Sequence, residues 1–169
     1  AQLDAAFDEY GINFIDTAEM YPVPTRAETQ GATDLTIAKW LQKRGPQRRD
    51  EVVLATKVAG NSERITWLRK SGEGTRVSKA DIFESVDASL RRLGTDYIDL
   101  LQIHWPDRYV PLFGEGFYDR AKERESVAFE EQLDAMRTLI EKGKVVPSSP
   151  SSRRWDSRML CSCGVCARR

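Results

Sequence analysis

Four ionisable side chains stand out by type and by position. Asp16 closes the short apolar run Asn13-Phe14-Ile15, and Tyr21 follows five residues later in a proline-bearing loop. Lys57 closes Val52-Val53-Leu54-Ala55-Thr56, and His104 closes Tyr97-Ile98-Asp99-Leu100-Leu101-Gln102-Ile103. A carboxylate, a phenol, an ammonium and an imidazole brought together form a set suited to moving a proton. Singly, each has a commoner role. A strand-end Asp is usually a cap or turn former, a loop Tyr packs, a strand-end Lys is solvated, and a buried His is a satisfied core group. The set carries meaning only if the fold collects it.

The elements that must do so alternate. Leu3, Ala6, Phe7 and Tyr10 fall at helical spacing and Gly11 follows as a cap. Residues 12–16 read as a strand with Ile12, Phe14 and Asp16 on one face. Pro22 and Pro24 forbid a regular helix through the loop 21–31. A second helix is predicted to start from an N-cap at Thr33 or Asp34, with Ile37, Ala38 and Leu41 as its apolar stripe and Gly45-Pro46 as its end. The strand 52–57 places Val53, Ala55 and Lys57 on one face. After a long polar segment, 59–77, Ser78 opens a third helix with a capping-box look, carried by Ile82, Val86, Leu90 and Leu93 and closed by Gly94. The third strand, 97–104, puts Leu100, Gln102 and His104 on one face. A second long loop, 105–125, precedes a helix marked by Phe129, Leu133, Met136, Leu139 and Ile140 and ended by Gly143.

Helix alternating with strand argues a parallel sheet, either doubly wound or a (β/α)8 barrel. No Gly-x-Gly-x-x-Gly occurs, which weakens the dinucleotide-fold version. Polar Asp16 and Gln102 on the same faces as bulky apolar residues favour the barrel, whose active site lies at the C-terminal strand ends.

Composition narrows the partners. Lys+Arg and Asp+Glu both number 26, so the formal net charge is zero and offers no overall attraction to nucleic acid or an acidic membrane. No apolar run approaches the roughly 20 residues that span a bilayer. All cysteines, Cys161, Cys163 and Cys166, lie near the C-terminus, so no disulfide framework is expected and a reducing, cytoplasmic setting is the simpler expectation. Three thiolates at that spacing resemble part of a zinc site, but no fourth ligand lies near, and no metal is expected. After Lys144-Val145-Val146 the composition changes to Pro, Ser and Arg. Residues 1–146 are therefore expected to form a barrel domain and 147–169 a disordered tail.

The stretches NFIDTAEMYPVPTRAETQG, VVLATKVAG and DASLRRLGTDYIDLLQIHWPDR resemble the aldo-keto reductase superfamily, in detail its Tas-like branch, over roughly residues 3–145. The resemblance implies a (β/α)8 TIM barrel that reduces aldehydes or ketones with NADPH, with Asp16, Tyr21, Lys57 and His104 as the catalytic tetrad. In that scheme Tyr21 protonates the alkoxide, Lys57 lowers the tyrosine pKa, Asp16 holds Lys57 charged in a poorly solvated pocket, and His104 orients the carbonyl oxygen. Trp67, Trp105, Phe113 and Tyr118, on the two long loops, would line the pocket. The family's first strand would precede residue 1 and its strands five to eight would follow the third unit. This chain is therefore expected to hold about three parallel strands with their helices, and to complete neither the barrel nor the cofactor site. The alternative is a non-catalytic interaction or regulatory module of the same descent.

Overall fold

The computed structural model describes residues 1–112 and 114–146. Helices and strands alternate through them: α1 (Gln2–Asp8), β1 (Phe14–Asp16), α2 (Ala32–Arg44), β2 (Val53–Val58), α3 (Lys79–Leu93), β3 (Leu100–Ile103) and α4 (Phe129–Glu141). The strands form one parallel sheet in the order β1-β2-β3. Asp16 pairs with Ala55, and Lys57 with Gln102. A further parallel bridge joins Ile98 to Val145, with the Val146 N–H donating to the Ile98 carbonyl at 2.9 Å. The chain thus starts to pair on the far side of β3 where the repeat predicts a fourth strand. The residues that follow, including the expected tail and its cysteines, lie outside the described residues.

β2 is the centre of the sheet, and its helix-facing side is dry. Leu54 and Val58 are fully buried. Val58 packs with Val77, Ile82, Val86, Leu90, Ile98 and Leu139, while Leu54 packs with Ile37, Trp40, Leu41, Val52 and Leu93. Each such side chain contributes about 1.5–3 kcal/mol when fully buried. α3 supplies residues to both clusters because its apolar positions recur every three or four residues. Ser78 caps it by accepting the Asp81 N–H at 3.2 Å, and Gly94 closes it at a φ of 67°, in the left-handed region that favours glycine.

The opposite side of the sheet is open. Phe14 is 49% exposed, and Ile12 beside it is exposed as well. In a closed barrel this side is the packed interior. At the N-terminal strand ends Arg49 locks β2 to β3. Its guanidinium donates to Asp99 Oδ2 at 2.7 Å and to the Tyr97 carbonyl at 2.9 Å, and lies 3.8 Å from the Tyr97 ring centroid.

Two details differ from the sequence expectations. α2 begins at Ala32 after Gly31, so neither Thr33 nor Asp34 is its N-cap. Asp34 is instead buried, accepting from Thr17 Oγ1 at 2.8 Å and from Arg92 Nε at 2.9 Å. In α4 the buried stripe is Gln132, Ala135 and Leu139, whereas Phe129, Leu133 and Ile140 are exposed. Leu139 and the partly buried Met136 still join the core beside Ala135. The bulkier set reads as the core face in sequence because hydrophobicity alone does not report which apolar side meets a neighbour.

Candidate active site

The three strand ends deliver their polar residues to one end of the sheet. Register places Asp16 beside Ala55, one pleat before Lys57 on the same face. Lys57 reaches across that diagonal and its ammonium forms an ion pair with Asp16 Oδ2. The same nitrogen donates to the Thr17 carbonyl at 2.9 Å. Gln102, level with Lys57, donates from Nε2 to Asp16 Oδ1 at 3.2 Å. The Asp16 carboxylate is therefore held from both sides. Lys57 is mostly covered, its side chain 13% exposed, but that of Asp16 is 44% exposed. The poorly solvated setting expected for the pair is thus present around the ammonium and not around the carboxylate.

Tyr21 and His104 complete the group. Their rings meet edge to face with centroids 5.7 Å apart, and Lys57 Nζ lies 5.2 Å from the centre of the Tyr21 ring. Trp105 packs on the other side of the imidazole at 5.1 Å. Burial, and then the nearby Lys57 ammonium, push the His104 pKa below its ordinary value, so the imidazole is neutral at neutral pH. Its Nδ1 is buried and has no hydrogen-bond partner among the described residues. An unpartnered buried donor or acceptor is costly.

Of the aromatic residues expected to line a pocket, Trp105 and Trp67 pack at this end with Met20, Ile65 and Tyr21. Tyr118 instead stacks on Tyr109 and donates to Glu123 Oε1 at 2.8 Å, and Phe113 lies outside the described residues. The Trp105 wall rests on a close approach. A methyl added at Gly60 would sit 1.9 Å from the Trp105 carbonyl oxygen and 2.4 Å from its Cδ1. Gly60→Ala is expected to cost about 1–3 kcal/mol through overpacking and to shift the imidazole resonance of His104, the chain's single histidine. Thermal unfolding and the proton NMR spectrum check both. An unchanged His104 resonance would separate Gly60 from the site.

Comparison with known proteins gives the family. The model of the aldo/keto reductase family matches residues 1–159. This chain belongs to that family. The protein Tas of Escherichia coli strain K12 is 42% identical over 149 residues, covering 86% of this chain and 40% of Tas. An aldo-keto reductase of Babesia bovis is 52% identical over 102 residues, 56% of this chain and 35% of that protein. The crystal structure of an aldo-keto reductase from Klebsiella pneumoniae in complex with NADPH superposes with a TM-score of 0.54 at 27% identity, over 85% of this chain and 35% of that one. The three parallel strands with their helices are thus part of a TIM barrel, and the chain spans about two fifths of the length of the Tas relatives it matches.

The sequence reading did not give Gln102 a role, although its place on the His104 face was visible. It also did not single out Glu19, whose burial has no signature in a stretch as polar as Thr17-Ala18-Glu19. Among the described residues no group of three or more His, Cys, Asp or Glu is arranged to hold a metal ion, and no helix is long and apolar enough to cross a membrane.

Proposed function

We propose that this chain carries the proton-donating part of an NADPH-dependent carbonyl reductase site, acting on a small aldehyde or ketone within a barrel unit that spans residues 1–146. The observation that supports this most directly is the Lys57 ammonium, tied to Asp16 and the Thr17 carbonyl with Tyr21 and His104 around it. Reduction of a carbonyl places negative charge on its oxygen, and that oxygen then needs a proton. The Tyr21 phenol is the donor. A phenol with the ordinary pKa of about 10 is a poor acid at neutral pH, and an adjacent cation favours its phenolate. Lys57 supplies that cation, and Asp16 and the Thr17 carbonyl hold the ammonium in place. Neutral His104 binds the carbonyl oxygen and orients it toward Tyr21.

NADPH supplies the hydride. The donor set fits its reacting end: a cation, a phenol and a neutral imidazole converge where charge would develop.

The test is quenching of NADPH fluorescence by the purified chain, followed by NADPH consumption with a panel of aldehydes and ketones. Saturable binding and turnover would support the reductase reading. A folded chain that leaves NADPH fluorescence unchanged at high micromolar cofactor favours the non-catalytic module.

A further inference from the structure

Between Asp16 and Tyr21 lies a third ionisable group, and it is buried. Glu19 and Arg69 form an ion pair whose side chains are 2% and 1% exposed. Glu19 Oε2 accepts from one guanidinium nitrogen at 2.8 Å, and Oε1 accepts from the other at 3.0 Å. Oε1 also accepts the Ala59 backbone N–H at 2.6 Å. The third guanidinium nitrogen, Nε, donates to Asp81 Oδ1 at 2.6 Å. The backbone N–H of Glu19 in turn donates to the Lys57 carbonyl at 3.2 Å. Glu19 and Arg69 together thus tie four segments: the loop that carries Tyr21, the strand end that carries Lys57, the long loop 59–77 and, through Arg69 Nε, the start of α3.

A buried ion pair is weak evidence for stability, because desolvation of two charges offsets most of their attraction, and apolar replacements of similar volume are often neutral. Its planar, two-point geometry fixes relative position much more strictly than an apolar contact does. We infer that Glu19 and Arg69 are positioning residues, which set the placement of Tyr21 and Lys57 against His104. This rests on the reductase reading of that cluster.

His104 is the chain's single histidine, so its imidazole gives one assignable NMR resonance and needs no cofactor to be observed. The groups acting on it are the Lys57 ammonium, the Asp16 and Glu19 carboxylates, and the rings of Tyr21 and Trp105. Glu19→Gln separates charge from position by sign. Loss of a carboxylate alone lowers the imidazole midpoint. Loss of position hydrates the ring and moves the ammonium away, which raises the midpoint toward the ordinary histidine value, by on the order of half a pH unit. The upward shift is expected, together with at least tenfold faster hydrogen exchange at the Ala59 amide. Arg69→Lys keeps the charge and loses the fork; a smaller upward shift is expected, where a purely electrostatic role leaves the midpoint unchanged.

In turnover assays Glu19→Gln is expected to lower kcat with KM little changed. Should NADPH binding fail in the wild type, the resonance still decides the positioning role independently. A midpoint that falls or stays put in Glu19→Gln overturns the inference. So does failure of both variants to fold, because the pair is then a stability element.

Discussion

Tyr21→Phe is expected to lower NADPH consumption by about 10²–10⁴-fold, the usual contribution of a positioned acid, while leaving the fold and NADPH binding unchanged. The substitution removes one oxygen and keeps the ring. The edge contact with His104 and the cation contact with Lys57 both use the ring, so both survive. A loss confined to kcat would place the hydroxyl in the chemical step, since an interaction that matters only there leaves ground-state binding intact. Lys57→Met is the companion. It removes the cation that makes the phenol a usable acid and leaves the Asp16 carboxylate without its ammonium partner, so it should depress turnover and disturb the loop at Thr17 as well. Retention of turnover within a few-fold in Tyr21→Phe would transfer the acid role to another group, and His104 would be the next candidate.

The clustering of the candidate residues was legible because they sit at strand ends, where a period of two fixes the face and the end of the apolar run fixes the height. Asp16, Lys57 and His104 follow from that rule, and Tyr21 follows from its short tether to Asp16. What the rule does not carry is the pairing between distant segments. Glu19 and Arg69 are fifty positions apart in the chain, and nothing in either neighbourhood distinguishes a buried charge from a solvated one. Asp34 shows the same limit. As a polar residue near a helix start it reads as a cap, yet it lies fully buried between Thr17 and Arg92, and burial raises its pKa against the pull of Arg92.

The fold was legible for a related reason. Gly45, Gly94 and Gly143 punctuate a repeat whose strands are rich in β-branched residues, and parallel βαβ order follows from the alternation. The faces of the outer elements were less legible. α4 carries more apolar residues than its buried face takes: Leu139 and Ala135 are buried, and Phe129, Leu133 and Ile140 are exposed. Ile12 and Phe14 share the face that a closed barrel would cover, and among the described residues they are exposed.

Asp107→Asn is expected to destabilise the chain by about 2–4 kcal/mol at neutral pH, because it strands buried donors around a group that can no longer accept from all of them. The Asp107 side chain is 1% exposed. Its Oδ1 accepts from the Val77 N–H at 2.9 Å and from Arg76 Nε at 3.0 Å, and its Oδ2 accepts from the Val127 N–H at 2.8 Å and from Arg76 Nη2 at 2.8 Å. Both oxygens are therefore acceptors, whereas an amide offers one oxygen and turns an NH₂ toward donors. The exposed Arg76 is the weaker part of this network; the two backbone amides, which fix the entry to α3 and the approach to α4, are the stronger. Burial pushes the Asp107 pKa up, but Arg76 and the amides of Val127 and Val77 outweigh it, and the folded value lies below the ordinary carboxylate value. The sign of the pH dependence follows. The wild-type advantage is full above the ordinary Asp pKa of about 4, and it is lost as pH falls through the depressed folded value. Urea unfolding of both proteins from neutral to acid pH should show two curves that converge only at the acid end. Equal stability at neutral pH would remove Asp107 as the tie between the loop after His104 and the two helices beside it.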